Sequence, residues 1–331
     1  MIYTVTLNPA LDRYIEVEDL VVDDANRITS ECFYAGGKGI DVSRAIRMLG
    51  GESLALGFIG GYSGQLLTDL LKHEGVMTYF TPITAETRRN IIVNPQRRRH
   101  HTMLNAQGPI VTKDEWTGFL THMRLLDLRD AMVVVSGSLP RGVPIDAYAQ
   151  LVQLGRDRGA KVFVDADGPA LRAAVEAKPF GIKPNVNELR RLVGEVISSE
   201  LELLEAAQQL NRQGIEIVLV SRGPDGVLLV SDHEWYRAVP PAVAVQSAVG
   251  AGDSTVAGFV LKYCGGKGLE ECVRFATACG TAATLAPGNS LCLASDVERL
   301  FPKVQVTAIG PARAQHARRA RTKAKKRQGA A

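Results

Sequence analysis

No stretch of this sequence approaches the roughly 20 consecutive apolar residues that a membrane-crossing helix requires, so a membrane-spanning protein is not expected. Cysteine is sparse. The five cysteines (Cys32, Cys264, Cys272, Cys279 and Cys292) are odd in number, and none stands at CxxC spacing. That argues against both a disulfide framework and a zinc site. The first residues, MIYTVTLNP, read as a strand rather than an export signal, and a reducing, cytoplasmic setting is expected. Two phosphate-binding patterns are also missing. There is no GxxxxGK[ST] loop, and no GxGxxG follows a strand with an acid placed for a ribose.

What is present belongs to a folded enzyme. Hydrophobic residues make up 46% of the 331 and charged residues 22%, which excludes a wholly disordered or fibrous chain. The net charge of +4 is unevenly placed. Residues 310–331 hold eight Lys or Arg and no acid, leaving a body with 31 basic and 35 acidic residues. A nucleic-acid-binding domain usually carries its positive charge on a folded surface. Here the charge sits on an appendage without a hydrophobic face, expected to be a disordered, solvated tail, so nucleic acid is an expected partner only through that tail.

Short Val- and Ile-rich runs alternate with segments of helical period, the pattern of an α/β protein with a mostly parallel sheet covered on both faces. Residues 132–137, 161–167, 216–223 and 227–231 read as strands, and 145–158 and 202–213 as helices. GGKGIDVSRAIRMLGG (36–51) reads as a glycine turn opening a helix, followed by a strand at 53–61 and a helix at 63–75. Residues 14–34 and 88–104 break the rhythm. They are extended-looking and amphipathic, and Asn94-Pro95-Gln96 interrupts the second. Together they are expected to form a small β-sheet lid over the carboxyl ends of the parallel strands, where open α/β sheets bind ligands. The basic run from Arg97 to His101 would lie at or beyond the lid's turn.

The strongest chemical signal is QSAVGAGDSTVAGFVLKYCGG at 246–266. Gly250-Ala251-Gly252 precedes Asp253 in what reads as the first turn of a helix. Free amides there point outward at the positive end of the helix dipole, and glycines allow a phosphate to approach them. A carboxylate at that point can accept the proton of an attacking hydroxyl while the amides stabilise a migrating phosphoryl group. Taken alone, the same four residues also describe an ordinary helix cap.

TLNPALD (6–12), AGGKGIDVSRA (35–45), TRRN (87–90), SGSLPRGVP (136–144), KPNVNEL (183–189), SRGPDG (221–226) and VGAGDS (249–254) occur in an order that resembles the ribokinase-like sugar kinases, specifically their phosphofructokinase B branch. The resemblance spans about residues 2–305. It implies a three-layer α/β/α sandwich over residues 1–309, with the discontinuous lid and then the tail at 310–331. It further implies ATP with Mg²⁺ and a phosphorylated ketohexose as acceptor; a homodimer formed through the lid is expected because the edges of an exposed sheet need covering. Asp253 would be the base, and Gly250, Ala251 and Gly252 the anion hole. Asp12, Gly37, Lys38, Asp41, Arg88, Asn90 and Ser138 would line the sugar pocket, with Arg88 facing the substrate phosphate through its planar fork. Lys183, Asn185, Ser221, Gly223 and Gly226 would lie along the nucleotide. Glu188 would organise Mg²⁺ through water, in keeping with the ion's reluctance to lose its waters. Read alone, Asn185 to Glu188 is also a capping box, and SRGPDG is also a turn.

Two positions depart from the family's usual pattern. Asp41 replaces an Asn that meets sugar hydroxyls, giving an acceptor-only group that repels a nearby anion. Ala248 replaces a Thr. The expected activity is a phosphofructokinase acting on fructose 1-phosphate or fructose 6-phosphate. Tagatose-6-phosphate kinase, a kinase for an unphosphorylated sugar or nucleoside, and a non-catalytic sensor or nucleic-acid-associated protein are the alternatives.

Overall fold

The computed structural model describes residues 1–97, 101–286 and 291–310. Arg98, Arg99 and His100 of the basic run, and residues 311–331 of the tail, lie outside the described residues. The strands are β1 (Ile2–Thr6), β2 (Ala10–Val17), β3 (Ile28–Gly36), β4 (Leu54–Ile59), β5 (Met77–Pro82), β6 (Arg88–Pro95) and β7 (Thr102–Leu104). There follow β8 (Met132–Ser136), β9 (Lys161–Asp165), β10 (Gly181–Ile182), β11 (Ile217–Ser221), β12 (Val227–Ser231), β13 (Trp235–Val239) and β14 (Gln305–Ala308). The helices are α1 (Lys38–Met48), α2 (Gly61–His73), α3 (Lys113–Leu125), α4 (Ala147–Asp157) and α5 (Gly168–Glu176). Later come α6 (Val186–Val193), α7 (Glu200–Arg212), α8 (Ala251–Cys264), α9 (Leu269–Ala283) and α10 (Ala294–Leu300).

Among the described residues the central sheet has the order β14-β13-β12-β11-β10-β9-β8-β1-β4-β5. It is parallel from β11 to β5, and β12 to β14 complete it with antiparallel pairings. The apolar runs are long because both faces are covered. Along β8, Val133 and Val135 join a core with Trp116 and Phe119 of α3, Tyr148 of α4 and Leu203 of α7. Met132 and Val134 face the other way, toward Val42 of α1, Phe259 of α8 and Val273 of α9. β11 divides in the same manner, with Val218 and Val220 on the first face and Ile217 and Leu219 on the second. This two-residue alternation builds the three layers of a ribokinase-like fold.

A separate four-stranded sheet has the order β3-β2-β6-β7, with β2 and β6 parallel and both outer pairs antiparallel. Its strands start inside the body. Ala10, Leu11 and Asp12 are buried, and Leu11 and Ala35 pack with Ile40, Leu67 and Leu71 of α1 and α2. Further out, residues 28–31 of β3 and all of β7 are exposed. Arg97, the first residue of the basic run, pairs with Glu18. No helix among the described residues is long and apolar enough to cross a membrane.

Candidate active site

The carboxyl ends of β9 and β10 lie by the N-terminus of α8, and of the site residues expected from the sequence Lys38, Lys183, Glu188, Gly252 and Asp253 are gathered there. α8 is an unusual surface for a helix, since every residue from Asp253 to Val260 is buried. A helix apolar on all sides belongs inside the molecule, so Asp253 enters the interior with it. Gly250 caps the helix at φ +73°, a left-handed conformation natural to glycine. Ser254 N donates to Gly250 O at 2.8 Å, and Ala251 N lies 3.4 Å from Ala248 O. Among the described residues the amides of Gly252 and Asp253 have no backbone acceptor, as befits the open first turn of a helix.

Above that turn stand two lysines and two acids. Lys38, opening α1, and Lys183, following β10, each place Nζ 3.3 Å from a different oxygen of the buried Asp165 at the end of β9. A methyl group at Gly252 would lie 3.3 Å from Lys183 Nζ, which locates that ammonium over the helix N-terminus. Burial, reinforced by the charge of Asp165 and in smaller part by that of Glu188, pushes the Asp253 carboxyl up to about 7; Lys38 and Lys183 oppose the rise. Asp165 itself falls below the usual carboxylate range, because the two lysines outweigh its burial. Two acids on one site are thus pushed apart, the pattern of a group held charged beside one poised to exchange a proton.

Glu188 serves two ends. Its Oε2 accepts from Asn185 N at 2.7 Å while Asn185 Oδ1 accepts from Glu188 N at 2.9 Å, a complete capping box on α6. Its carboxylate is buried and close enough to bias both Asp253 and Lys38. Ser221 N bonds Pro184 O at 3.1 Å, joining β11 to the same segment. Gly223 opens a short 3₁₀ turn that Gly226 closes at φ +82°.

On the lid side, Asn90 donates to Asp12 Oδ1 at 2.8 Å and accepts from Ala106 N at 3.1 Å, so both are fixed. Gly36 leaves room for them; a methyl there would meet Asp12 Oδ2 at 2.3 Å. Next to it, Gly37 caps α1. Arg88 spends its terminal nitrogens on Ala106 O (2.8 Å) and Asn8 O (2.9 Å), and its Nε is buried without a hydrogen-bond partner. Asn8 Nδ2 in turn donates to Gln107 O (3.2 Å) and to Ser138 Oγ (3.1 Å). Asp41, in the first turn of α1, lies 3.2 Å from Arg44, whose other nitrogens grip Glu74 at 2.6 and 3.1 Å. Burial raises the Asp41 carboxyl well above the usual range, with Asp253 and Asp12 adding to the effect and Arg44 opposing it.

Residues 5–296 match the model of the pfkB family carbohydrate kinases. The chain belongs to that family. As a pfkB carbohydrate kinase it is an ATP-dependent sugar kinase, and its relatives include phosphofructokinases. It is 37% identical over 309 residues to the 1-phosphofructokinase of Bacillus subtilis (strain 168), covering 93% of this chain and 100% of that protein. It superposes on phosphofructokinase-2 from Escherichia coli in complex with potassium at a TM-score of 0.89 and 35% identity, covering 91% of this chain and 98% of that one. The same Escherichia coli enzyme in complex with fructose-6-phosphate gives a TM-score of 0.87 and 34% identity, with the same coverage.

Sequence reasoning overlooked Asp165 and Asn8. Asp165 ends β9 within KVFVDAD, and an acid at the carboxyl end of a buried parallel strand was the available signal. Asn8 sits in a quoted motif, TLNPALD, but nothing in its spacing distinguishes it from a turn residue.

Proposed function

We propose that this kinase transfers the γ-phosphoryl group of ATP to a hydroxyl of a fructose phosphate, yielding fructose 1,6-bisphosphate. The observation that carries this reading is the buried Asp253 carboxyl, raised to about 7, in the first turn of a helix whose Gly252 and Asp253 amides have no backbone acceptor among the described residues. Asp253 takes the proton of the attacking hydroxyl, and the amides of Gly250, Ala251 and Gly252 with Lys183 receive the transferring phosphoryl group. Asp12 and Asn90 orient the sugar, with Gly37, Lys38, Asp41 and Ser138 around it. Arg88 turns from its carbonyl partners to the substrate phosphate. Ser221, Gly223 and Gly226 border the nucleotide.

The donor set suits an ion carried in by ATP. Glu188 has one oxygen committed to its cap and the other available, and the described residues include no group of three or more acidic, His or Cys side chains able to cage a metal. Mg²⁺ bound with the nucleotide would neutralise phosphate charge. Glu188, with Asn185 keeping it in place, is the residue that would hold the ion's water. The exposed β3 and β7 edges of the small sheet support a homodimer that pairs lids. The free cysteines support a reducing, cytoplasmic setting.

The test is a coupled assay of ADP release over fructose 1-phosphate, fructose 6-phosphate, tagatose 6-phosphate, ribose and adenosine. A fructose phosphate should give the highest kcat/KM. A preference for ribose or adenosine would overturn the proposal.

A further inference from the structure

We propose that Asp165 is a positioning residue of this kinase, whose single carboxylate holds Lys38 and Lys183 apart and over the N-terminus of α8. The inference rests on the reading of Asp253 as base. Its geometry is that of a two-sided clamp, since each lysine takes a different oxygen of one buried carboxylate at 3.3 Å. The lysines come from different elements, Lys38 from α1 and Lys183 from the segment between β10 and α6. The contacts are longer than the roughly 2.7–2.9 Å of a tight charge-assisted bond. The ammonium groups are therefore oriented by Asp165 yet free to lean toward a ligand phosphate.

Asp165 is itself fixed by the sheet. Gly137 N donates to its carbonyl at 3.0 Å, and Lys183 N bonds the carbonyl of Val164 beside it at 3.1 Å. Among the described residues no other acid lies within ion-pair distance of either lysine. Without the clamp, both ammonium groups would be released toward the remaining carboxylates at the site, Asp253 and Glu188. A base tied up by two cations is a weaker base. Asp165 thus keeps the lysines available for phosphate and keeps Asp253 from being neutralised as their partner.

The groups facing this centre are Lys38 and Asp41 on α1, Lys183, Glu188 on α6, Tyr148 on α4 and Asp253 on α8. In Asp165→Asn two of them lose a counter-charge, and their attraction shifts to Asp253, so the carboxyl of Asp253 must fall. A base works only when deprotonated, so the acid limb of the rate profile moves to lower pH.

The experiment measures kcat and both KM values for wild type, Asp165→Asn and Asp165→Glu from about pH 5 to about pH 9, with melting curves to establish folding. The expected result for Asp165→Asn is a limb displaced downward by about one pH unit or more, a plateau lowered about 10²-fold and a raised KM for ATP. Asp165→Glu keeps the charge, so its limb should stay in place while kcat falls about tenfold from displacement of the lysines. A folded Asp165→Asn protein whose plateau drops with an unmoved limb would overturn the proposal, because a purely structural residue behaves that way. If Asp165→Asn does not fold, a wild-type kcat in Asp165→Glu overturns it instead, and the tenfold loss supports it. A wild-type enzyme with no acid limb would remove Asp253 as base, and this inference with it. An intact wild-type limb that ignores Asp165 removes only the inference.

Discussion

Replacing Asp253 by Asn should stabilise the protein at neutral pH while abolishing turnover. The argument starts from the carboxyl's rise from 3.8 to about 7, caused first by burial and then by the charge of Asp165. Between those two values the folded protein binds a proton that the unfolded chain does not, so this group's contribution falls as pH rises. Above both values the folded state holds an unfavourable buried charge, equivalent to roughly 4 kcal/mol at about pH 8. At about pH 5 the same relation gives roughly 2 kcal/mol. Asparagine has nearly the same shape and no charge, so it escapes this cost. Asp253→Asn should therefore melt higher than wild type at about pH 8, by at least about 4 °C, and the gap should shrink by half or more at about pH 5. Scanning calorimetry of the nucleotide-free proteins across that range reads the difference directly. The ion pairs of Asp165 do not interfere, because that carboxyl is held below the usual range and stays charged throughout. A variant equal to or less stable than wild type at about pH 8, or a gap that does not change with pH, would refute the reasoning. Substantial residual turnover in Asp253→Asn would refute the assignment of the base.

Other perturbations separate the parts of the site. Gly252→Ala should fold normally, since its added methyl meets only the end of Lys183, at 3.3 Å, but kcat should fall about 10²-fold as phosphate approach is blocked; near wild-type kcat would count against the anion hole. Arg88→Ala should raise KM for the sugar phosphate roughly 10- to 100-fold and KM for ATP far less, and equal changes in steady-state titrations would argue against a phosphate role. Asp41→Asn removes one negative charge while leaving an oxygen for Arg44, so KM for an anionic sugar should fall by about threefold to tenfold, whereas a rise would show that the carboxylate itself is needed.

Legibility in the sequence followed the range of the interactions involved. Val133 to Val135 and Ile217 to Val220 announce buried strands because both neighbours of each residue must be apolar when both sheet faces are covered. The place of Asp253 in the first turn of a helix was legible because the helix N-terminus, its glycines and its acid are contiguous in the chain. The lid was legible only as two extended segments. Its defining feature is the parallel pairing of Ala10 with Arg88 and of Asp12 with Asn90, which joins strands far apart in sequence and leaves no local periodicity. For the same reason the pattern places the first lid segment at 14–34, whereas β2 begins at Ala10, where three consecutive buried residues hide the alternation. Asp165 escaped notice because its meaning depends on Lys38 and Lys183, 127 and 18 residues away.

Glu188 shows how an ordinary capping motif can also suit the ion-organising role proposed for it. A capping box needs a carboxylate that reaches back to the amide of Asn185, and that requirement alone fixes its rotamer and the start of α6. Because α6 begins where β10 ends, the cap necessarily faces the crevice at the carboxyl edge of the sheet. The carboxylate is therefore preorganised by local hydrogen bonds before any ligand arrives, with one oxygen left over. Lys183 is held two residues before Asn185 by the same short segment, so the cap also sets the distance between that ammonium and α8. Structural and chemical readings of KPNVNEL are consequences of the same geometry, and a substitution there must disturb helix, lysine and carboxylate together.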